Sequence, residues 1–445
     1  MGATSGAPTV STKLERIAKL AKEMPRAALT TLAHHIDLEW LYEAHRRTRK
    51  DGAAGVDGQT AEQYGAALED NLRSLLGRVK SGTYRAPPVR RVHIPKGDGS
   101  QTRPIGIPSF EDKLLQRAVA MVLEAVYEQE FLDCSYGFRP RRSAHGALEA
   151  LQNGLVRMAG GWVLEGDIKS FYDTMAHGQL QQILGRRVRD GVLLSLVGKW
   201  LNAGVLEAGE LEHPEEGVPQ GGVVSSILSN VYLHEVLDVW FELEVKPRLK
   251  GRAFLIRYAD DFVIAFSEEG DARRVLAVLA KRFAKYGLTL HPEKTRLTEF
   301  RRPDRRPPAG PGGAVQGSGT FDLLGFTHVW GVSRKGKWVV KRRTAKTAFR
   351  RALRRIKDWC REHTHDKVKK QAQELGVKLR GHFGYFGIIG NSDAIVSFRF
   401  RVVDIWRKRL GRRSNRARMS WERMERVLRH HPLPPARIAH PYGQA

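Results

Sequence analysis

The chain of 445 residues carries 75 Lys and Arg against 48 Asp and Glu, a formal net charge of +27, with 41% hydrophobic residues and nine Trp. That length and apolar content suit two or three domains with a substantial interior. No apolar run approaches the ~18 residues a membrane helix needs, and Cys134 and Cys360, with no CxxC, exclude a disulfide framework and a cysteine zinc site.

The opening "MGATSGAPTV" lacks the basic and apolar regions of a signal peptide, and Gly6 breaks the myristoylation pattern. A soluble intracellular protein in a reducing compartment is therefore expected. The charge is unevenly spread: from Arg334 onward there are 31 Lys and Arg against 8 Asp and Glu, net +23, while the first 333 residues are near neutral at +4. A polycationic last quarter should attract a phosphate backbone, with salt-sensitive affinity.

In chain order, residues 1–24 are polar and read as a flexible extension. From Leu29 to Val79 the pattern is helical, broken by the loop "KDGAAGVDG". "PVRRVHIPKGDGSQTRPIGIPS" reads as two strands about a Gly-Asp-Gly turn, followed by an apolar-periodic helix from Phe110 to Tyr127. "GGWVLEGDIKSFYD" is a strand running into a turn, and "SSILSNVYLHEVLDVWF" a buried helix. "FLIRY" and "FVIAF" form two strands meeting at the acidic pair Asp260–Asp261. A helix over Asp271–Tyr286 precedes the strand-like "GLTLHPEKTRLTEF". The Pro- and Gly-rich 301–320 reads as a flexible hairpin loop, after which "FDLLGFTHVW" resumes a strand. Beyond Lys341, Phe349, Leu353, Ile356 and Cys360 recur at helical spacing, as do Ile395, Phe398, Val402 and Ile405, the second stripe ending at Gly411. The fold class expected is α+β, with a catalytic body followed by basic helices.

Two adjacent carboxylates at a strand-to-strand turn are costly to bring together without a counter-charge. A divalent cation bound by hard oxygen ligands, Mg²⁺ or Mn²⁺, is the usual solution. Such a site wants a third aspartate at a strand end, and "LEGDIKSFYD" offers Asp167, with Asp173 nearby. Two metals could activate a 3′-hydroxyl and stabilise leaving pyrophosphate.

"RYADDFVI" resembles the YxDD box of reverse transcriptases, and "GVPQGGVVSSILSNVYL" the PQG block of group II intron reverse transcriptases. The resemblance runs in order through "GVDGQTAEQY", "IPKGDGSQTRPIGIPSFEDKLLQRAV", "DCSYGFRPRRSAHGAL", "GDIKSFYDTMAH", "LTLHPEKT", "FDLLGF" and "SWERMERVLRHHPLPPARIAH". It implies a right-hand polymerase: an extension over 1–24, fingers and a palm with an antiparallel sheet over 25–335, and a basic helical thumb and maturase (X) domain over 336–445. It also implies that Asp167, Asp260 and Asp261 are catalytic metal ligands with Ile168 as a further metal contact. Lys96 and Arg103 on the hairpin arms would close on the incoming triphosphate. Phe171 would be the steric gate against a ribose 2′-hydroxyl, Gln220 and Ala259 would flank the nucleotide, and Lys294 is a further candidate near the site.

The activity so implied is an RNA-directed DNA polymerase using two Mg²⁺ ions, or Mn²⁺, that binds group II intron RNA, assists splicing and makes cDNA in retrohoming. Its partners would be intron RNA, an RNA template with a DNA primer, dNTPs and target DNA, in the bacterial cytoplasm with nucleoid association. Aromatics among the cationic residues, Trp359, Tyr385, Phe386, Trp406 and Trp421, could stack on bases or pack in the core. Ser226 stands where the family has Pro, and the chain ends at "IAHPYGQA" with no HNH-type module, so second-strand cleavage is not expected. A free-standing reverse transcriptase in repair or defence, a splicing maturase with secondary polymerase activity, a non-catalytic RNA-binding splicing factor and an RNA-templated RNA polymerase are the alternatives.

Overall fold

The computed structural model describes residues 9–96, 101–213, 215–303, 319–413 and 419–440, with only the backbone of Lys96 and Gln101. They are helices and strands mixed along the chain, in two compact units. One holds the described residues up to Lys96, Gln101–Ala147 and Gly166–Leu297; the other holds Leu148–Glu165 and the described residues from Thr298 on. The strand-rich stretch before Lys341 is thus grouped with the basic helices.

In the first unit, Ser109 opens the Phe110–Tyr127 helix by accepting the Asp112 N–H at 3.2 Å. The helix is buried on nearly every side. Trp40, on the Leu38–Arg47 helix, donates its indole N–H to the Ala118 carbonyl at 3.0 Å. Within the stretch 1–24, Val10–Glu23 is a helix capped by Thr9. Ile17 and Ala21 are buried, and Lys13 pairs with Asp37. Burying an Ile contributes roughly 1.5–3 kcal/mol, which offsets the polarity of the remaining positions.

Strands Val89–Lys96 and Gln101–Ile107 form the expected antiparallel hairpin; its turn, 97–100, lies outside the described residues. Val205–Glu207 adds to Val89–Lys96 in parallel and Glu210–Glu212 closes that sheet. Ala253–Tyr258 and Asp261–Phe266 pair antiparallel, Tyr258 opposite Asp261, so that only Ala259 and Asp260 form the loop.

Asp112 is buried and accepts from the Tyr84 hydroxyl, from Trp200 Nε1 at 2.6 Å and from Gln116 Nε2 at 3.0 Å. Gln116 Oε1, so oriented, takes the Val223 N–H at 2.8 Å at the entrance to the Ser225–Leu233 helix. Burial pushes the Asp112 carboxyl up to about 6, against hydrogen bonds that favour its charge. A raised acid binds its proton more tightly folded than unfolded. Its contribution is therefore complete below the unfolded pKa, near 4, and is lost as pH rises through 6. Asp112→Asn, which does not titrate, is expected to gain about 2 kcal/mol on the wild type between pH 4 and 7, read by chemical denaturation at both values.

In the second unit, Phe321–Leu323, Phe326–Val332 and Trp338–Thr344 form an antiparallel sheet. The single strand expected from "FDLLGFTHVW" is two, because Leu324 and Gly325 both take positive φ (50° and 77°) and make a two-residue turn. The expected loop over 301–320 lies largely outside the described residues. Gln152 Nε2 donates to the Val340 carbonyl at 2.6 Å and Trp330 Nε1 to the Phe300 carbonyl at 3.0 Å.

Four helices, Lys346–Glu362, Val368–Phe386, Ser392–Leu410 and Trp421–His430, close over a core that includes Ile356, Cys360, Leu379, Phe398, Val402 and Trp406. The two apolar stripes read from the sequence supply much of that core. Of the five aromatics named above, Trp406 is buried and bonded to Gln371 Oε1 at 2.7 Å. Trp421 is 41% exposed, with the Arg407 guanidinium 4.6 Å from its ring centroid. Among the described residues no helix is long and apolar enough to cross a membrane.

Candidate active site

Three short backbone devices in the first unit bring the acidic residues together. Asp167 follows directly on the Gly160–Gly166 strand. A Cβ at Gly166 would stand 2.0 Å from the Phe262 ring, so only glycine lets this segment lie against the residue after Asp261. The carbonyl of Asp167 accepts the His291 N–H at 2.8 Å, and Lys169 N–H donates to the Thr289 carbonyl at 2.8 Å. The "LHPEKT" segment is thereby fixed beside Asp167, and Lys294 reaches Asp167 Oδ2 at 2.6 Å.

Ala259 precedes the acidic pair with φ at +55°, the left-handed region that costs a residue with a Cβ about 1 kcal/mol or more. Gly137 is pressed against it: a Cβ there would come within 2.3 Å of the Ala259 nitrogen.

Asp167 acts on both members of the acidic pair. Burial raises the Asp260 pKa, and the charge of Asp167 raises it further; Arg103 and Lys294 pull it back. Desolvation, then the like charges of Asp260 and Asp167, push Asp261 up to about 6, again opposed by Lys294 and Arg103. Because Asp261 is exposed by surface area, repulsion by its two neighbours is the firmer of these causes. Asp173, the other aspartate on this segment, lines a cavity of about 280 Å³ with Arg91 and Glu216 instead.

Arg103 is exposed and lies opposite Ile94 in the hairpin, while Lys96 lies opposite Gln101. The two expected triphosphate contacts are thus not cross-strand partners, and the side chain of Lys96 lies outside the described residues. Arg103 is the hairpin residue whose charge reaches both Asp260 and Asp261. Phe171 is 2% exposed, with its ring 5.3 Å from Tyr172 and 6.5 Å from Tyr232. The Gln220 carbonyl accepts the Gly106 N–H at 2.7 Å, which docks the "PQGG" loop onto the hairpin. Gly221 takes φ +112° there, and a Cβ would meet the Gly106 carbonyl at 2.7 Å. Ile168 is buried, leaving its backbone carbonyl as the only donor it could offer a cation.

Among the described residues no three His, Cys, Asp or Glu side chains stand close enough to hold a metal ion as they lie. The donor set fits a hard divalent cation in kind, being all oxygen and mutually repelling. Asp167 is meanwhile neutralised by Lys294, so joining a cation site requires its carboxylate to turn from that ammonium.

Sequence reasoning passed over the residue that anchors this turn. Arg257 is fully buried and paired with fully buried Asp238 at 2.6 Å. Losing one partner of such a pair costs about 3–5 kcal/mol. The available signal was a charged residue in each of two otherwise apolar segments, "FLIRY" and "VLDVWF".

Residues 94–328 match the family described as reverse transcriptase (RNA-dependent DNA polymerase). The chain is 38% identical over 257 residues to Protein YkfC of Escherichia coli (strain K12), covering 51% of this chain and 67% of that one. It is 36% identical over 236 residues to the group II intron-encoded protein LtrA of Lactococcus lactis subsp. cremoris, covering 52% of this chain and 39% of the relative. A more distant match, 28% over 233 residues, is to nuclear intron maturase 2, mitochondrial, of Arabidopsis thaliana, covering 43% and 30%.

Proposed function

The chain belongs to the reverse transcriptase (RNA-dependent DNA polymerase) family, and from that premise we propose that it copies RNA into DNA, binding a group II intron RNA, assisting its splicing and making its cDNA. The observation that carries this reading is the position of Asp167, Asp260 and Asp261 at strand ends within the matched region, where Asp167 disfavours charge on both members of the pair. Fingers and palm take up 25–335 in this reading, and the basic helices from 336 on serve as thumb and maturase domain.

Asp167, Asp260 and Asp261, with the Ile168 carbonyl, would hold a pair of Mg²⁺ ions, or Mn²⁺, whose chemistry is to activate a primer 3′-hydroxyl and neutralise leaving pyrophosphate. The remaining work falls to the chain. Arg103 and Lys96 take the triphosphate through charge-assisted hydrogen bonds. Phe171, held by Tyr172 and Tyr232, presents a fixed ring where a ribose 2′-hydroxyl would have to fit. Gln220 and Ala259 flank the nucleotide, on loops whose glycines allow close backbone approach. Lys294 balances the Asp167 charge.

The net +23 from Arg334 onward supplies the RNA-binding surface. Purified protein is expected to extend a DNA primer on an RNA template with dNTPs and Mg²⁺, and to bind structured RNA with an affinity that falls steeply between 50 and 200 mM salt, by about a hundredfold or more. A protein with tight, salt-dependent RNA binding that extends primers with neither dNTPs nor rNTPs would leave the splicing-factor alternative.

A further inference from the structure

Arg257 makes contacts that the hairpin carrying it does not need. Its guanidinium is 0% exposed and uses all five N–H donors. Nε donates to Asp238 Oδ1 at 2.7 Å, and Nη2 to Asp238 Oδ2 at 2.6 Å and Ser135 Oγ at 2.7 Å. Nη1 donates to Asn230 Oδ1 at 2.9 Å and to the carbonyl of Ala259 at 3.1 Å. Asn230 in turn gives its Nδ2 to the Gly137 carbonyl at 2.7 Å, and Gly137 is the residue packed against the Ala259 nitrogen. One network thus holds the Ala259 carbonyl and the glycine packed against the Ala259 nitrogen.

For stability alone a buried charged pair is a poor choice, because apolar residues of similar volume would serve as well or better. An apolar side chain could not hold the Ala259 carbonyl, and Ala259 sits at a φ that residues with a Cβ avoid. Backbone held in such a conformation persists only where its surroundings over-determine it.

We propose that Arg257, braced by Asp238 and Asn230, is a positioning residue that fixes the Ala259 peptide and so sets the direction in which Asp260 and Asp261 project. The assignment rests on the polymerase reading for its consequence in catalysis, but its physical content is local order of the turn.

The test uses the full-length protein and two substitutions. Arg257→Lys keeps a charge for Asp238 but cannot also span to Ala259 and Asn230. Asn230→Ala removes the brace while leaving the Arg257–Asp238 pair. Hydrogen exchange of the segment 255–262, measured without metal or nucleic acid, should quicken in both. Mn²⁺ binding, read by electron paramagnetic resonance, should weaken about tenfold or more, the range for lost supporting contacts around a metal site. In primer extension kcat should fall by a similar factor while the dNTP KM and RNA binding hold.

Arg187→Lys provides a comparison for lost stability. That buried arginine pairs with Glu130 and holds the Ala21 carbonyl, away from the turn; it should lower Tm without moving exchange at 255–262 or Mn²⁺ binding. Unchanged exchange and Mn²⁺ binding in folded Arg257→Lys, or in Asn230→Ala if the first does not fold, would overturn the proposal. A wild-type protein that fails to extend primers would instead sink the polymerase reading, and the exchange data would still decide whether the turn is held.

Discussion

Asp260→Ala leaves the protein folded and able to bind RNA, while RNA-templated extension of a DNA primer falls by at least about a thousandfold, as when a group that handles developing charge is removed. The physical reason lies in what the residue costs the fold. Its carboxylate is disfavoured by burial and by Asp167, and it raises the neighbouring Asp261 in turn. Removing it relieves repulsion, so Tm should hold or rise. A stability defect therefore cannot explain lost activity, and a thermal melt alongside the extension assay separates the two. Robust extension by the Asp260 variant would sink the assignment of the acidic residues.

Phe171→Ala shifts nucleotide choice, raising rNTP relative to dNTP incorporation by about a hundredfold, the scale on which a shaped pocket discriminates a single hydroxyl. The ring is buried against Tyr172 and Tyr232. Its truncation should also cost about 3 kcal/mol of stability, and rates must be taken per active molecule in single-nucleotide competition on one template. Phe171→Leu, which refills part of the space, should fall between the two. An unchanged rNTP to dNTP ratio in the folded alanine variant would mean that another side chain screens the sugar.

The elements with strong local patterning were legible in the sequence. The 89–107 hairpin announced itself by its Gly-Asp-Gly turn, the Phe110–Tyr127 helix by unbroken apolar spacing after Ser109, and the strands about Asp260 by β-branched and aromatic runs. The Val10–Glu23 helix was missed because few of its positions are buried and the rest are polar. The break in "FDLLGFTHVW" was missed because a leucine, not an asparagine or glycine, takes the first positive φ of the turn.

Long-range partners were beyond reach for a different reason. Arg257 finds Asp238, Asn230 and Ser135 at 19, 27 and 122 residues' distance along the chain, and nothing local encodes such a meeting. The grouping of Leu148–Glu165 with the chain from Thr298 on is of the same kind. It depends on contacts such as the Asp322 N–H on Glu165 Oε2 at 3.1 Å.

Gly137 meeting Ala259 without clearance bears on how such a protein can be altered. The "SYGFRP" and "YADD" stretches are separate in sequence but share one van der Waals boundary, so neither can be diversified by itself. Directed evolution toward a faster or more tolerant enzyme would have to leave those two positions untouched. Its gains would come from exposed positions elsewhere, such as Ile94 on the hairpin and Val377 and Val396 on the cationic helices.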